Sequence, residues 1–113
     1  MAEEIQNARA FTLHNDGTFV ARIQLKWTNN DSGKTGEYEE SGYHDICKYA
    51  ERTVNLSETG IPLGSTVYLH AYVVLGKGKD AKECFKYTTD GKTADYTISG
   101  TTLINKLKFN GLK

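Results

Sequence analysis

Proline is almost absent, cysteine is scarce and charge is balanced. In 113 residues there are one proline (Pro62) and two cysteines (Cys47 and Cys84), with 14 basic against 14 acidic side chains. Two cysteines without a Cys-x-x-Cys spacing are too few for a Cys-rich zinc site. A net charge of zero is not the balance of a nucleic-acid binder, so no nucleic-acid partner is expected. No apolar run is long enough to cross a bilayer as a helix. No long segment shows helical periodicity, and there is no internal repeat, low-complexity tract or linker. The start, Met1-Ala2-Glu3-Glu4-Ile5-Gln6, lacks the basic-then-apolar order of a secretory signal. A cytoplasmic chain, or a secreted one without a visible signal peptide, is the expectation.

What is present reads as strands. Apolar residues make up 38% and charged residues 25%, which suits one folded domain over 1–113. Glycine (11 residues) and Asn/Asp supply the punctuation. Phe19, Ala21, Ile23, Leu25 and Trp27 alternate with Val20, Arg22, Gln24, Lys26 and Thr28, a strand with one face on a core. Asn15-Asp16-Gly17 before it predicts a hairpin between residues 9–14 and 18–28. Residues 34–50 read as a long loop with one short strand around 46–49. Further strands are expected at 52–56, 65–75, 83–88, 94–99 and 101–109. In the strand 65–75, Val67, Leu69, Ala71, Val73 and Leu75 make one face. Leu103, Leu107 and Phe109 share a face in the last strand. The fold class is therefore all-β, an antiparallel β-sandwich of about seven or eight short strands.

The two halves of the chain differ in charge. Residues 1–60 carry six basic and ten acidic residues, whereas 61–113 carry eight lysines and four acids. A basic face for an anionic partner is one consequence. Interleaved strands ordinarily mix the two halves, and that is the reading taken here.

Catalytic and metal chemistry find little support. His44 lies near Cys47 in a loop, but neither belongs to a nucleophile elbow or a cysteine-protease motif, so no catalytic residues and no enzyme activity are expected. Asn29-Asn30-Asp31-Ser32-Gly33 lacks the spaced acids of a calcium loop. Gly76-Lys77-Gly78-Lys79 lacks the spacing of a phosphate-binding loop. His44 and Asp45 alone do not make a metal site. No cofactor is expected. Cys47 and Cys84 would pair in an oxidising compartment, adding about 3–4 kcal/mol, and stay thiols in a reducing one.

The aromatic residues are the most informative feature. Tyr38, Tyr43 and Tyr49 lie in a Gly- and Glu-rich region that reads as loop, where recognition usually sits. Tyr68, His70 and Tyr72 line the less apolar face of a strand, either as cross-strand packing or as a binding face. Tyrosine suits sugar rings, lipid headgroups and protein surfaces. These six residues are the candidate ligand-binding set. A non-enzymatic module for a membrane lipid headgroup or glycan is expected. A pore-forming subunit and a self-assembling or protein-interaction domain, forming a homo-oligomer, are the alternatives.

The Asn15-Asp16-Gly17 turn, the alternating strand ending in Trp27 and the Gly-punctuated strands after it resemble the aegerolysins and other small β-sandwich cytolysins and lectins. The likeness rests on motif over the first 30 residues and on architecture beyond them. It implies a chain of this size whose aromatic residues engage membrane lipids or glycans. The paired acidic and aromatic motifs of aegerolysin C-terminal halves have no counterpart in Tyr96–Phe109. Only Trp27 carries over as a site residue, and its place on the apolar face points to the core.

Overall fold

Period-two burial runs through the long strands of the computed structural model, which describes residues 5–40, 42 and 44–113. Nine strands are present among them: β1 (Asn7–Asn15), β2 (Ala21–Thr28), β3 (Thr35–Tyr38), β4 (Glu51–Asn55), β5 (Thr66–Val73), β6 (Lys79–Asp80), β7 (Phe85–Tyr87), β8 (Lys92–Gly100) and β9 (Asn105–Leu112). One 3-10 turn, Leu56–Glu58, is the only helical element described. The all-β sandwich class expected from the sequence is the class observed.

The strands form one sheet in the order β3-β2-β5-β7-β1-β8-β9, with β4 on β1 and β6 on β5. Both long central strands use their two edges differently. β1 lies along β8 on one edge, and β7 (at Asn7 and Ala8) and then β4 (at Ala10 to His14) share the other. β5 lies along β2 on one edge, and β7 and β6 share the other. The three-residue β7 therefore joins a β4-β1-β8-β9 half to a β3-β2-β5-β6 half, which face each other across the core. That core is Phe11 and Leu13 of β1, Ile23 and Leu25 of β2, Val67 and Leu69 of β5, Phe85 of β7, and Tyr96 and Ile98 of β8.

Two pairings depart from the expected antiparallel scheme: β1 runs parallel to both β7 and β8. The expected hairpin at Asn15-Asp16-Gly17 is not formed. β1 and β2 lie in different halves and do not pair. Asn15 is fully buried; its amide donates to the carbonyls of Phe19 (2.6 Å) and Ile46 (2.9 Å), while its Oδ1 accepts from Gly17 N (2.9 Å). The same residue types that make a hairpin turn thus make an Asx turn that carries the chain across the sandwich. Residues 34–50 contain β3 rather than a strand at 46–49; Ile46 contributes one isolated bridge to Ala21. Trp27 packs against the core and over Gly36, where a Cβ would lie 2.5 Å from the indole. This accords with a core-side role for Trp27 and explains why β3 carries glycine opposite it.

The outer strands are blunted against further pairing. β3 is four residues long, and β9 presents exposed Lys106 and Lys108, both devices that discourage edge association. Residue 40 is tied to β4 by a forked contact in which Arg52 Nε and Nη2 donate to the two Glu40 oxygens at 2.8 and 2.7 Å. That hydrogen bond holds the Glu40 carboxyl below its ordinary 4.5. A carboxyl depressed by folding adds stability above its unfolded value, and that stability is lost as pH falls below about 4.5. Glu40→Gln is expected to leave a shallower loss of Tm on acidification than the parent shows, measured by thermal melts from neutral pH downward. An unchanged slope would refute it.

Candidate functional site

The six sequence-selected residues do not form one surface. Tyr68, His70 and Tyr72 share the outer face of β5 with Arg22, Gln24 and Lys26 of β2, which lie directly opposite them. His70 is hydrogen-bonded to Asp80 at 2.6 Å, Lys26 approaches Asp80 at 3.5 Å, and the Arg22 guanidinium lies 5.8 Å from the Tyr72 ring centroid. The hydrogen bond from His70 pulls the Asp80 carboxyl below its usual range. Tyr38 pairs with Leu25 in register and packs toward the core instead. Burial raises its phenol. Tyr49 is 79% exposed in a separate loop, with φ of +71°. Tyr43 lies outside the described residues.

The residues considered for chemistry are also dispersed. His44 is buried and neither ring nitrogen finds a partner among the described residues, whereas Cys47 and Cys84 are exposed free thiols. Partial desolvation raises the Cys84 thiol. On the outer face of the other half, Thr12 meets Thr53 at 2.6 Å, and His14 bridges Asp95 (3.0 Å) and Glu51 (3.5 Å). Asn110, the extra residue of a bulge in β9, donates to Asp95 and Thr97 at 2.8 Å each. These groups satisfy one another, as a half-covered polar face requires.

A different feature stands out at one end of the sandwich. The turn after β5 and the turn between β8 and β9 are bound together. Lys77 N donates to Thr102 O (2.9 Å), and the Asn105 amide donates to the carbonyls of Lys77 (2.9 Å), Thr101 (3.3 Å) and Thr102 (3.4 Å). Thr101 N donates to Ile104 O (2.8 Å), and Ile104 N donates back to Thr101 Oγ1 (3.1 Å). Gly76 permits the contact, since a Cβ there would lie 2.3 Å from Thr102 O. The crossing turn joins the same end, with Thr18 N donating to Gly100 O (3.0 Å) and Val74 N to Val20 O (2.9 Å).

Three aliphatic side chains project from this braced end. Leu75 is 93% exposed, Ile104 82% and Leu103 64%. Leu75 also holds φ of +59°, a conformation that costs a non-glycine residue on the order of 1 kcal/mol. Neither its exposure nor its backbone is explained by stabilisation of the fold. The sequence reading placed Leu75 on the core face of its strand and Leu103 on that of the last one. β5 ends at Val73 and β9 begins at Asn105, so both residues fall beyond the sheet. The signal available was Gly76 directly after Leu75 and Gly100-Thr101-Thr102 directly before Leu103.

No family model and no curated protein matches the chain. Solved toxin structures do. Listeriolysin O superposes with a TM-score of 0.53 at 15% identity, over 92% of this chain and 22% of that one. The human-specific toxin intermedilysin gives 0.49 at 20% identity, over 92% and 23%. The cytotoxin suilysin from Streptococcus suis gives 0.48 at 19% identity, over 96% and 24%. These are toxins and not aegerolysins. The chain spans between a fifth and a quarter of their length, and what it has in common with listeriolysin O is the fold of that part.

Proposed function

We propose that the chain is a non-enzymatic module that docks on a lipid bilayer through the end bearing Leu75, Leu103 and Ile104. The observation that carries this reading is the projection of three exposed aliphatic side chains from loops whose backbone groups bond to one another. Loops that enter the apolar boundary of a bilayer must satisfy their peptide groups internally. Here the bonds among Lys77, Thr101, Thr102, Ile104 and Asn105 satisfy part of these groups. Shallow insertion of three aliphatic side chains then gains the free energy of removing them from water. The lipid contact moves from the aromatic loops to the aliphatic turns; Tyr68, His70 and Tyr72 stay on a lateral face.

Co-sedimentation with phosphatidylcholine vesicles tests the reading. The parent chain is expected to pellet with the vesicles, and the combined Leu75→Ser, Leu103→Ser, Ile104→Ser variant to bind about tenfold less or weaker. All three positions are exposed, so the variant's circular dichroism and melting should match the parent's. Failure of the parent to bind, or equal binding by the variant, sinks the proposal.

A toxin-like role is the second reading, supported by the fold held in common with listeriolysin O. β5, the longest strand of its half together with β2, is paired on both edges, so its release into a membrane would open the core. Dye release from loaded vesicles separates docking from permeabilisation.

A further inference from the structure

We infer that the docking end prefers bilayers carrying anionic phospholipid, an inference that rests on the membrane reading above. Three of the eight lysines in the second half of the chain lie at or near this end. Lys77 belongs to the braced turn itself, two residues from Leu75. Lys79 and Lys106 line a groove of about 400 Å³ that starts at Asn105 of the braced turn. The groove also contains Asp80 and Glu83, but each is engaged elsewhere. Asp80 bonds to His70 at 2.6 Å and lies 3.5 Å from Lys26. Glu83 accepts from the Tyr96 hydroxyl at 3.1 Å.

The cations in ion pairs among the described residues are His14, Arg22, Lys26, Arg52 and His70. Lys77, Lys79, Lys82 and Lys106 are in none of them. Three lysines, Lys77, Lys79 and Lys106, near three aliphatic side chains combine the two attractions that hold a peripheral protein on a membrane. Asp16, exposed in the crossing turn, and Asp80 are the acids near these three lysines; Asp80 is itself paired with Lys26 and His70, so the lysines are not offset. Charge complementarity thus selects an anionic surface over a zwitterionic one.

Each lysine near an anionic leaflet strengthens binding about fivefold, and three together on the order of a hundredfold. The test compares phosphatidylcholine vesicles with and without phosphatidylserine at low and high salt. Phosphatidylserine is expected to raise parent binding on the order of a hundredfold. High salt should remove most of that gain, and the Lys77→Gln, Lys79→Gln, Lys106→Gln variant should lack it. Binding to phosphatidylcholine with no gain from phosphatidylserine would overturn the lysine inference and leave the docking reading standing. Binding to neither vesicle would overturn both. A gain that high salt leaves in place, or that the lysine variant keeps, would also overturn the inference.

Discussion

Asn15→Ala is expected to destabilise the chain by about 3–5 kcal/mol and to lower Tm by roughly 15 °C. Asn15 sits at the end of β1, fully buried, where the chain leaves one half of the sandwich for the other. Its side chain makes three hydrogen bonds, to Phe19 O, Ile46 O and Gly17 N. Alanine leaves Phe19 O and Gly17 N without these partners, at about 1–3 kcal/mol each before relaxation, while Ile46 O keeps its bond from Ala21 N (3.0 Å). A chain of this size has only about 5–15 kcal/mol in total. Asn15→Asp should be at least as damaging. It keeps the acceptor for Gly17 N but removes both donors and sets a carboxylate against two carbonyl oxygens. Thermal melts of the two variants decide the matter. A loss below about 1 kcal/mol in both would show that Asn15 is not what holds the crossing.

Phe85→Ala should cost about 3–5 kcal/mol, as large-to-small changes in tight cores do. The ring lies at the join between the two halves. It meets Phe11 edge-on at 5.7 Å between centroids and 77° between planes, and Phe109 at 5.6 Å. Phe109 in turn lies 5.1 Å from Tyr96. The cluster therefore draws on β1, β7, β8 and β9, and Phe85 is its only member on β7. Neighbours held in four strands cannot collapse into the vacated volume, so the cavity persists. Phe85→Leu, which keeps most of that volume, should cost about 1.5 kcal/mol or less. The contrast is read from urea midpoints at unchanged slope. Equal losses for the two variants would mean that the aromatic packing is not the source of the stability.

The two expectations concern the places where local pattern and global fold part company. Alternation identified β2 and β5 correctly, because period two follows from the pleat of a single strand and needs no neighbour. Inward-facing Ala21, Ile23 and Leu25, and Val67, Leu69, Ala71 and Val73, are buried as the pattern requires. Neighbours are another matter. Asn15-Asp16-Gly17 has the composition of a hairpin turn, yet which partner β1 takes depends on burial 30 to 80 residues away in the chain, at Ile46 and Ile98. β3 and β6, of four and two residues, carry too few residues to show a period.

The candidate site divides in the same way. The sequence by itself determined an all-β chain, the core faces of its long strands and the lateral placement of Tyr68, His70 and Tyr72, all properties of one strand at a time. The tertiary structure alone decided that β7 joins the halves, that β1 runs parallel to β8, and that Lys79 and Lys106 come to line one groove near the braced turns. It also decided that Leu75, Leu103 and Ile104 lie beyond the sheet. An aliphatic residue at a strand's end looks the same in sequence whether it is the last inward residue or the first one outside. Only the contact between the turns, made through Gly76 and Thr102, places these three side chains in solvent.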